Sequence, residues 1–221
     1  MSAVLNNIKI LIISSLILFQ VANVLHSQTI LIAKFSPVGI HPFNEKNSHI
    51  FENKFDSNGI FVTEPCLILG GETLLREDVF SIRYLLGGMS DAASKPAFFI
   101  HAGVKYKFVQ IWRSSFAIGA GINLYGRERW STIDGYIAES GWKQNGDWEY
   151  KIGPMAELEY LLLLGERHDL TFSILYGHQP RTFSLTIGYR FWLSTEIKNL
   201  KGCGSCPFAK KKSKKKTKWH F

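Results

Sequence analysis

Over most of the chain, apolar and polar side chains alternate with a period of two. That spacing sends successive residues to opposite faces of a β-strand. Phe116, Ile118, Ala120, Ile122 and Leu124 share one face, and Ser115, Ala117, Gly119, Gly121, Asn123, Tyr125, Arg127 and Arg129 share the other. Phe183, Leu185, Ile187, Tyr189, Phe191 and Leu193 oppose Thr182, Ser184, Thr186, Gly188 and Arg190. The pattern predicts eight strands, at 48–55, 60–74, 79–89, 97–108, 115–129, 149–163, 169–177 and 182–193. No amphipathic helix interrupts them.

Alternation alone also fits a soluble sandwich or barrel, so the chemistry of the two faces decides. One face of each segment is aliphatic and aromatic. The other is rich in Gly, Ser, Thr and scattered charges. In a membrane barrel the apolar face meets lipid and the polar face lines the lumen. Lipid offers backbone groups no partner, so such a sheet has to close. The expected fold is all-β, a closed antiparallel transmembrane β-barrel of about eight strands. The links support this. Leu75–Asp78, Ile111–Ser114 and Gly165–His168 are short, and 130–148 is long, as for periplasmic turns and outer loops. The stretch Ile30–Phe35 is also strand-like and would make nine, whereas bacterial single-chain barrels are even. Residues 28–47 are therefore read as a lead segment or an extra strand, with the barrel at 48–195. Asn58-Gly59 is a hairpin signal, and Pro65 with Gly70-Gly71 predicts a bulge in segment 60–74.

The lumen of an eight-stranded barrel is just wide enough for side chains to fill. Arg83, His101, Lys105, Lys107, Glu157, Glu159 and Arg190 fall on the polar faces. Opposite charges confined there are expected to pair, because an unpaired buried charge is costly. The expected result is a filled, non-conducting lumen; a polar site that grips an acidic headgroup is the functional alternative.

Charge first suggests a nucleic-acid binder, with a formal net charge of +8. That excess is local. From Glu196 onward there are nine lysines and one acid, and between the N-terminal segment and that tail 16 basic residues meet 17 acidic ones. A near-neutral body excludes the basic surface that nucleic-acid binding needs. The tail, Lys210–Lys218, repels itself and is expected to be disordered, free to touch anionic lipid or periplasmic components. Residues 1–27 read as a cleaved secretory signal: Lys9, the apolar run Ile10–Phe19, and Ser27 before Gln28. The expected location is the outer membrane of a Gram-negative cell. Cys203-Gly204-Ser205-Cys206 is expected to close a local disulfide in that oxidising space. Four zinc ligands are not at hand, and the sequence indicates no metal and no cofactor.

Two resemblances follow from particular phrases. Lys34-Phe35-Ser36-Pro37 with His41-Pro42-Phe43, Asp56–Val62, and Gly119–Trp130 followed by Asp134-Gly135-Tyr136 resemble small outer-membrane barrels of the Bacteroidota, whose functions are mostly unassigned. Arg127, Glu128 and Trp130 are also similar to a strand end in the lipid A palmitoyltransferase barrel. That likeness implies a histidine, an aspartate and a serine on outer loops. No motif places that set here, though Ser131 and Asp134 share the long loop. Arg127, Arg129, Trp130 and Asp134 are thus candidates for headgroup contact, with Trp at the interface and Arg toward lipopolysaccharide phosphates. The functional expectation is a structural or surface-binding outer-membrane protein that meets outer-membrane lipid and lipopolysaccharide. The alternatives are a lipid A-modifying acyltransferase and a soluble exported barrel that binds an apolar ligand.

Overall fold

The computed structural model describes residues 28–193, apart from 44, 77, 78 and 166. Residues 1–27, expected to be a signal, and the lysine-rich tail, with Cys203 and Cys206, lie outside the described residues. Nine strands are present: β1 (Thr29–Ile40), β2 (Phe61–Arg76), β3 (Phe80–Ser90), β4 (Pro96–Ile111), β5 (Ser114–Glu128), β6 (Lys143–Asn145), β7 (Trp148–Leu163), β8 (His168–Tyr176) and β9 (Phe183–Trp192). The wall runs β1-β2-β3-β4-β5-β7-β8-β9, antiparallel throughout, and β9 pairs back onto β1. Eight strands therefore close the barrel. The short β6 only folds over the end of β7.

This wall has the expected eight strands but corrects which segments form them. The stretch around Ile30–Phe35 is the first wall strand, paired with β2 on one side and β9 on the other. The segment 48–55 is not a strand; it holds a single 3-10 turn, Ser48–Ile50, and one isolated bridge, Lys54 to Val62. The turn at Asn58-Gly59 does form. Gly59 has φ +70°, and the Asp56 carboxylate accepts the backbone N–H of Asn58, Ile60 and Phe61. Only its second arm continues into the wall. The first arm pairs only briefly, on the edge of β2 away from β1: the Phe55 N–H donates to the Phe61 carbonyl and the Thr63 N–H to the Asn53 carbonyl, each at 2.9 Å.

With eight strands, both ends of the wall reach one rim. Trp112-Arg113 and the other short turns lie at that short-turn rim. The loops 41–60, 91–95, 129–147 and 177–182 gather at the opposite, loop rim. The expected bulge appears as a register shift in β1 between Ser36 and Val38, opposite Thr63 to Cys66 on β2. Pro37 and Pro65 sit there, where the missing proline N–H costs no ladder bond.

The two faces of the wall have opposite polarity, and their order is the reverse of a soluble barrel. Leu86, Val104, Ile118, Leu158 and Ile187 point outward and stay exposed, while Lys34, Glu72, Arg83, Lys105, Glu157, Glu159, Asp169 and Arg190 are buried within. Aromatic rings band the exterior near each rim. Phe108, Phe116, Tyr160 and Phe172 form a chain of contacts toward the short turns. Phe98, Trp148 and Tyr150 cluster toward the loops.

The buried charges form one layer. Glu159 accepts from Lys34 at 2.6 Å, Arg83 at 2.6 Å and Lys105 at 2.5 Å. Glu157 pairs with Lys34 and Arg83. Glu72 meets Arg83 and Arg190 at 3.0 Å and Lys105 at 3.2 Å, and Arg190 also meets Asp169 at 3.3 Å. Among the described residues joined by these contacts, four cations face four carboxylates, so the set is neutral, the condition under which buried ions are tolerable. Small residues make room for it. On β5, Gly119 lies between Lys105 and Glu157, and Ala117 between Lys107 and Glu159. A side chain at Gly188 would run into Lys34. Above the ions, toward the loops, Cys66, Ile68, Leu85, Phe99, Tyr125, Met155 and Leu175 pack as an apolar layer.

Candidate functional site

The loops at the open rim fold together as a cap. Phe51, Val62, Ala92, Ala93 and Trp130 make a second, small core, with Ile50, Ile133 and Tyr136 packed on it. Asn47 locks the first loop to the third: its amide donates to the Ile137 carbonyl at 2.9 Å and Glu139 at 3.0 Å, and its carbonyl accepts from the Ile137 N–H at 2.8 Å. The fourth loop bends inward, and His178, Gln179 and Thr182 are buried. Asn123 on β5 holds it there by donating to the Gly177 and His178 carbonyls, each at 3.0 Å.

Under the cap is a cavity of about 490 Å³. Arg127 is its centrepiece. β5 points this residue inward, 4% exposed. Its guanidinium lies between two indoles, 3.6 Å from the centroid of Trp130 and 3.9 Å from that of Trp142. Nε donates to Glu149 at 2.5 Å, while Nη2 is buried without a hydrogen-bond partner. Such stacking holds a planar cation in one orientation. Lys46, Lys151 and Arg181 also line the cavity, with Glu45 and Glu139 as its acids. Both acids are engaged, Glu45 with His41 at 3.3 Å and Glu139 with Asn47 and Trp142.

His41 follows β1 at the rim and faces the cavity. Its Nε2 lies 3.0 Å from Glu64, and its Nδ1 3.3 Å from both Glu45 and Thr182. Burial opposes charging the ring, but hydrogen bonds and charge from Glu45 and Glu64 outweigh it and raise the pKa to about 9. A side chain at Gly39 would collide with the Glu64 carboxylate, so the absence of a Cβ there gives that acid its place. His178 behaves in the opposite way. Burial and then the charge on His41 lower it to about 3; its Nε2 lies 2.9 Å from Ser184, and its ring meets Phe99 edge-on. Asp91 receives Trp130 Nε1 at 2.6 Å; burial raises it to about 6 against the opposing bonds from the Lys95 N–H and Trp130.

The His41 shift has a consequence for stability. A folded-state pKa above the ordinary 6.5 stabilises fully below that value, and the contribution is lost as pH rises through the folded value. Raising pH from 7 to 10 is expected to loosen the cap, read as faster limited proteolysis within 129–147, and His41→Gln is expected to remove that pH step. A step of equal size in the variant would assign the titration to another group.

The structure brings together Arg83, Lys105, Glu157, Glu159 and Arg190 in the ion layer. His101 is buried nearby but enters no ion pair there, enclosed by Gly103 and Gly121. Lys34, Glu72 and Asp169 belong to the layer and were not anticipated. The loop candidates separate. Arg127 is in the cavity. Trp130, expected at the lipid interface, is 3% exposed inside the cap, because the strand delivers it above Arg127 instead of outside the wall. Arg129 is at the surface, bonded to Ser131 and the Gly146 carbonyl, and Asp134 is exposed. Cys203 and Cys206 lie outside the described residues. Glu149 and Lys151 were missed, although they share the lumen parity of Glu157 on β7.

No known protein-family profile matches the chain, and no curated protein does. Among solved structures, the chain is similar to a de novo designed transmembrane β-barrel (9% identity over 75% of this chain and 95% of that one, TM-score 0.45). It is also similar to Neisserial surface protein A (9%, 75% and 96%, TM-score 0.45) and to the N-terminal β-barrel domain of Pseudomonas aeruginosa OprF (10%, 75% and 98%, TM-score 0.43). The closed barrel is read from the strand pairings themselves.

Proposed function

We propose that this chain is an exported, integral outer-membrane barrel with a closed lumen, serving as a surface-binding protein through its capped cavity. The observation that carries the reading is the inverted polarity of the wall. Aliphatic side chains ring the whole exterior, and a neutral ion layer fills the interior. In water the exterior would be a vast exposed apolar patch, far beyond what soluble monomers show; in lipid it is the expected surface. The soluble ligand-binding alternative requires those faces to turn inward, and they turn outward.

The ion layer and the apolar layer above it argue against conduction and leave the loop rim as the functional end. Binding is favoured there over acyl transfer. Thr182, His41 and Glu64 follow one another in hydrogen-bond distance, an order that suggests a nucleophile, a base and an acid. A general base must be unprotonated at working pH, and His41 holds its proton there. Ser184 has His178 beside it, but His178 Nδ1 lacks a partner to orient the ring, as such a relay needs.

The test joins fractionation with gel migration. Recovery in outer membranes, a compact band without boiling and no conductance in planar bilayers are the expected results. Recovery in the soluble periplasm would sink the membrane assignment, and steady channel currents would sink the closed lumen.

A further inference from the structure

The wall has a gap beside the capped cavity. β7 pairs with β8 only from Ala156 onward, where Ala156 faces Tyr176. Toward the loop rim, β6 covers Trp148 to Tyr150. Residues 151–155 of β7 thus have a ladder partner on the β5 side alone, because the loop after β8 turns into the lumen. Pro154 lies in this stretch, a residue suited to an unpaired edge.

A second cavity, of about 190 Å³, occupies the gap. Its lining comes from both faces of the wall: Asn123, Tyr125 and Gly153 from the lumen side, Pro154 and Tyr176 from the outside. The space is therefore set into the wall itself, with the backbone of Gly177 packed against Pro154 at its edge. Lys151, Pro180 and Arg181 line this space and the capped cavity alike, so the two are neighbours across these three residues. Arg181 holds φ +61°, a region uncommon for a residue with a side chain.

We propose that gap and cavity form one site for a lipid with a phosphate headgroup, which enters sideways from the bilayer. This rests on the membrane reading above. The headgroup sits under the cap on Arg127 Nη2, Lys151 and Arg181, and the acyl chain leaves through the gap beside Pro154 and Tyr176. Three features select this occupant. The buried guanidinium nitrogen of Arg127 needs an acceptor, and a charge-assisted bond to phosphate oxygen supplies one. The acids of the cavity are already engaged. The opening is level with the outward-facing Ile122 and Ile152, both highly exposed, where only an apolar chain is at home.

The test uses the chain purified from membranes in dodecyl maltoside, with tryptophan fluorescence of the Trp130–Arg127–Trp142 stack as readout. Dodecyl phosphate is expected to saturate the signal at concentrations at least tenfold below those of inorganic phosphate. Lys151→Ala with Arg181→Ala, both at accessible positions, are expected to weaken dodecyl phosphate at least tenfold. Gly153→Phe fills the gap, since a Cβ there meets nothing within 4 Å; it is expected to weaken dodecyl phosphate and leave inorganic phosphate unchanged. Equal binding of the two phosphates, with no effect of Gly153→Phe, would make the site one for a soluble anion and overturn the sideways entry. No response to either phosphate, in a preparation that still shows the compact unboiled band, would overturn the site and leave the membrane barrel standing. Loss of that band in the parent chain would instead undo the membrane reading on which the site depends.

Discussion

Arg83→Met is expected to destabilise the barrel by about 3–5 kcal/mol, the usual cost of removing one partner from a buried ion pair. Arg83 contacts three carboxylates, Glu72, Glu157 and Glu159. Its loss leaves the layer with four acids and three bases where water is scarce. The methionine keeps most of the volume, so the cost is electrostatic and not that of a void. The measurement is the urea midpoint in detergent micelles, together with the temperature at which the compact gel band is lost. Arg83→Met combined with Glu159→Gln restores neutrality and is expected to recover most of the loss. A double variant as unstable as the sum of its parts would show that packing, and not charge balance, governs the layer.

Val104→Arg addresses the other face. Val104 lies near the middle of β4, outward and exposed, between Ile82 and Ala120 on the neighbouring strands. An arginine at the midplane of a bilayer is expected to cost about 2–4 kcal/mol, against about 0–1 near the interfaces. Ile111→Arg, on the same strand at the short-turn rim, is the matched control. Folding into lipid vesicles is expected to separate the two variants by that margin. A soluble barrel would tolerate both alike, since each site is solvent-exposed in water. Equal folding yields would therefore contradict a lipid-facing wall.

Much of this architecture is legible in the sequence, because the period-two signal is strong wherever a strand has one apolar and one polar face. Phe116 to Leu124 and Phe183 to Leu193 show their outward faces directly, and the ion layer follows from parity for Arg83, Lys105, Glu157, Glu159 and Arg190. The same parity reaches Asp169, two residues before Thr171. Lys34 was hidden because its strand lies next to the signal segment and competes with 48–55 for a place in an even count. Glu72 was hidden by Pro65 and Gly70-Gly71, which blur the alternation of β2. The Asn58-Gly59 turn is genuine, but a turn does not reveal whether both of its arms join a sheet. The cavity is less legible still. It depends on Asn47 bridging to Ile137 and on His178 and Gln179 folding inward. Those contacts link loops far apart in the chain, and no local spacing encodes them. Trp130 reads as an interface residue because its destination is set by the cap, not by its own sequence neighbourhood.

The makeup of the ion layer bears on assembly. Its charges come from β1, β2, β3, β4, β7, β8 and β9; among wall strands only β5 sends none. An open sheet lacking any one contributing strand would present an uncompensated charge to hydrocarbon, and β7 with β8 alone would present three. Lys34 reaches its carboxylates on β7 only when the first strand has met the last. The layer thus acts as a proofreading device for closure: the full set of cross-lumen pairs is attained only in the complete ring, which disfavours stable partial intermediates and points to insertion of the wall as one cooperative unit.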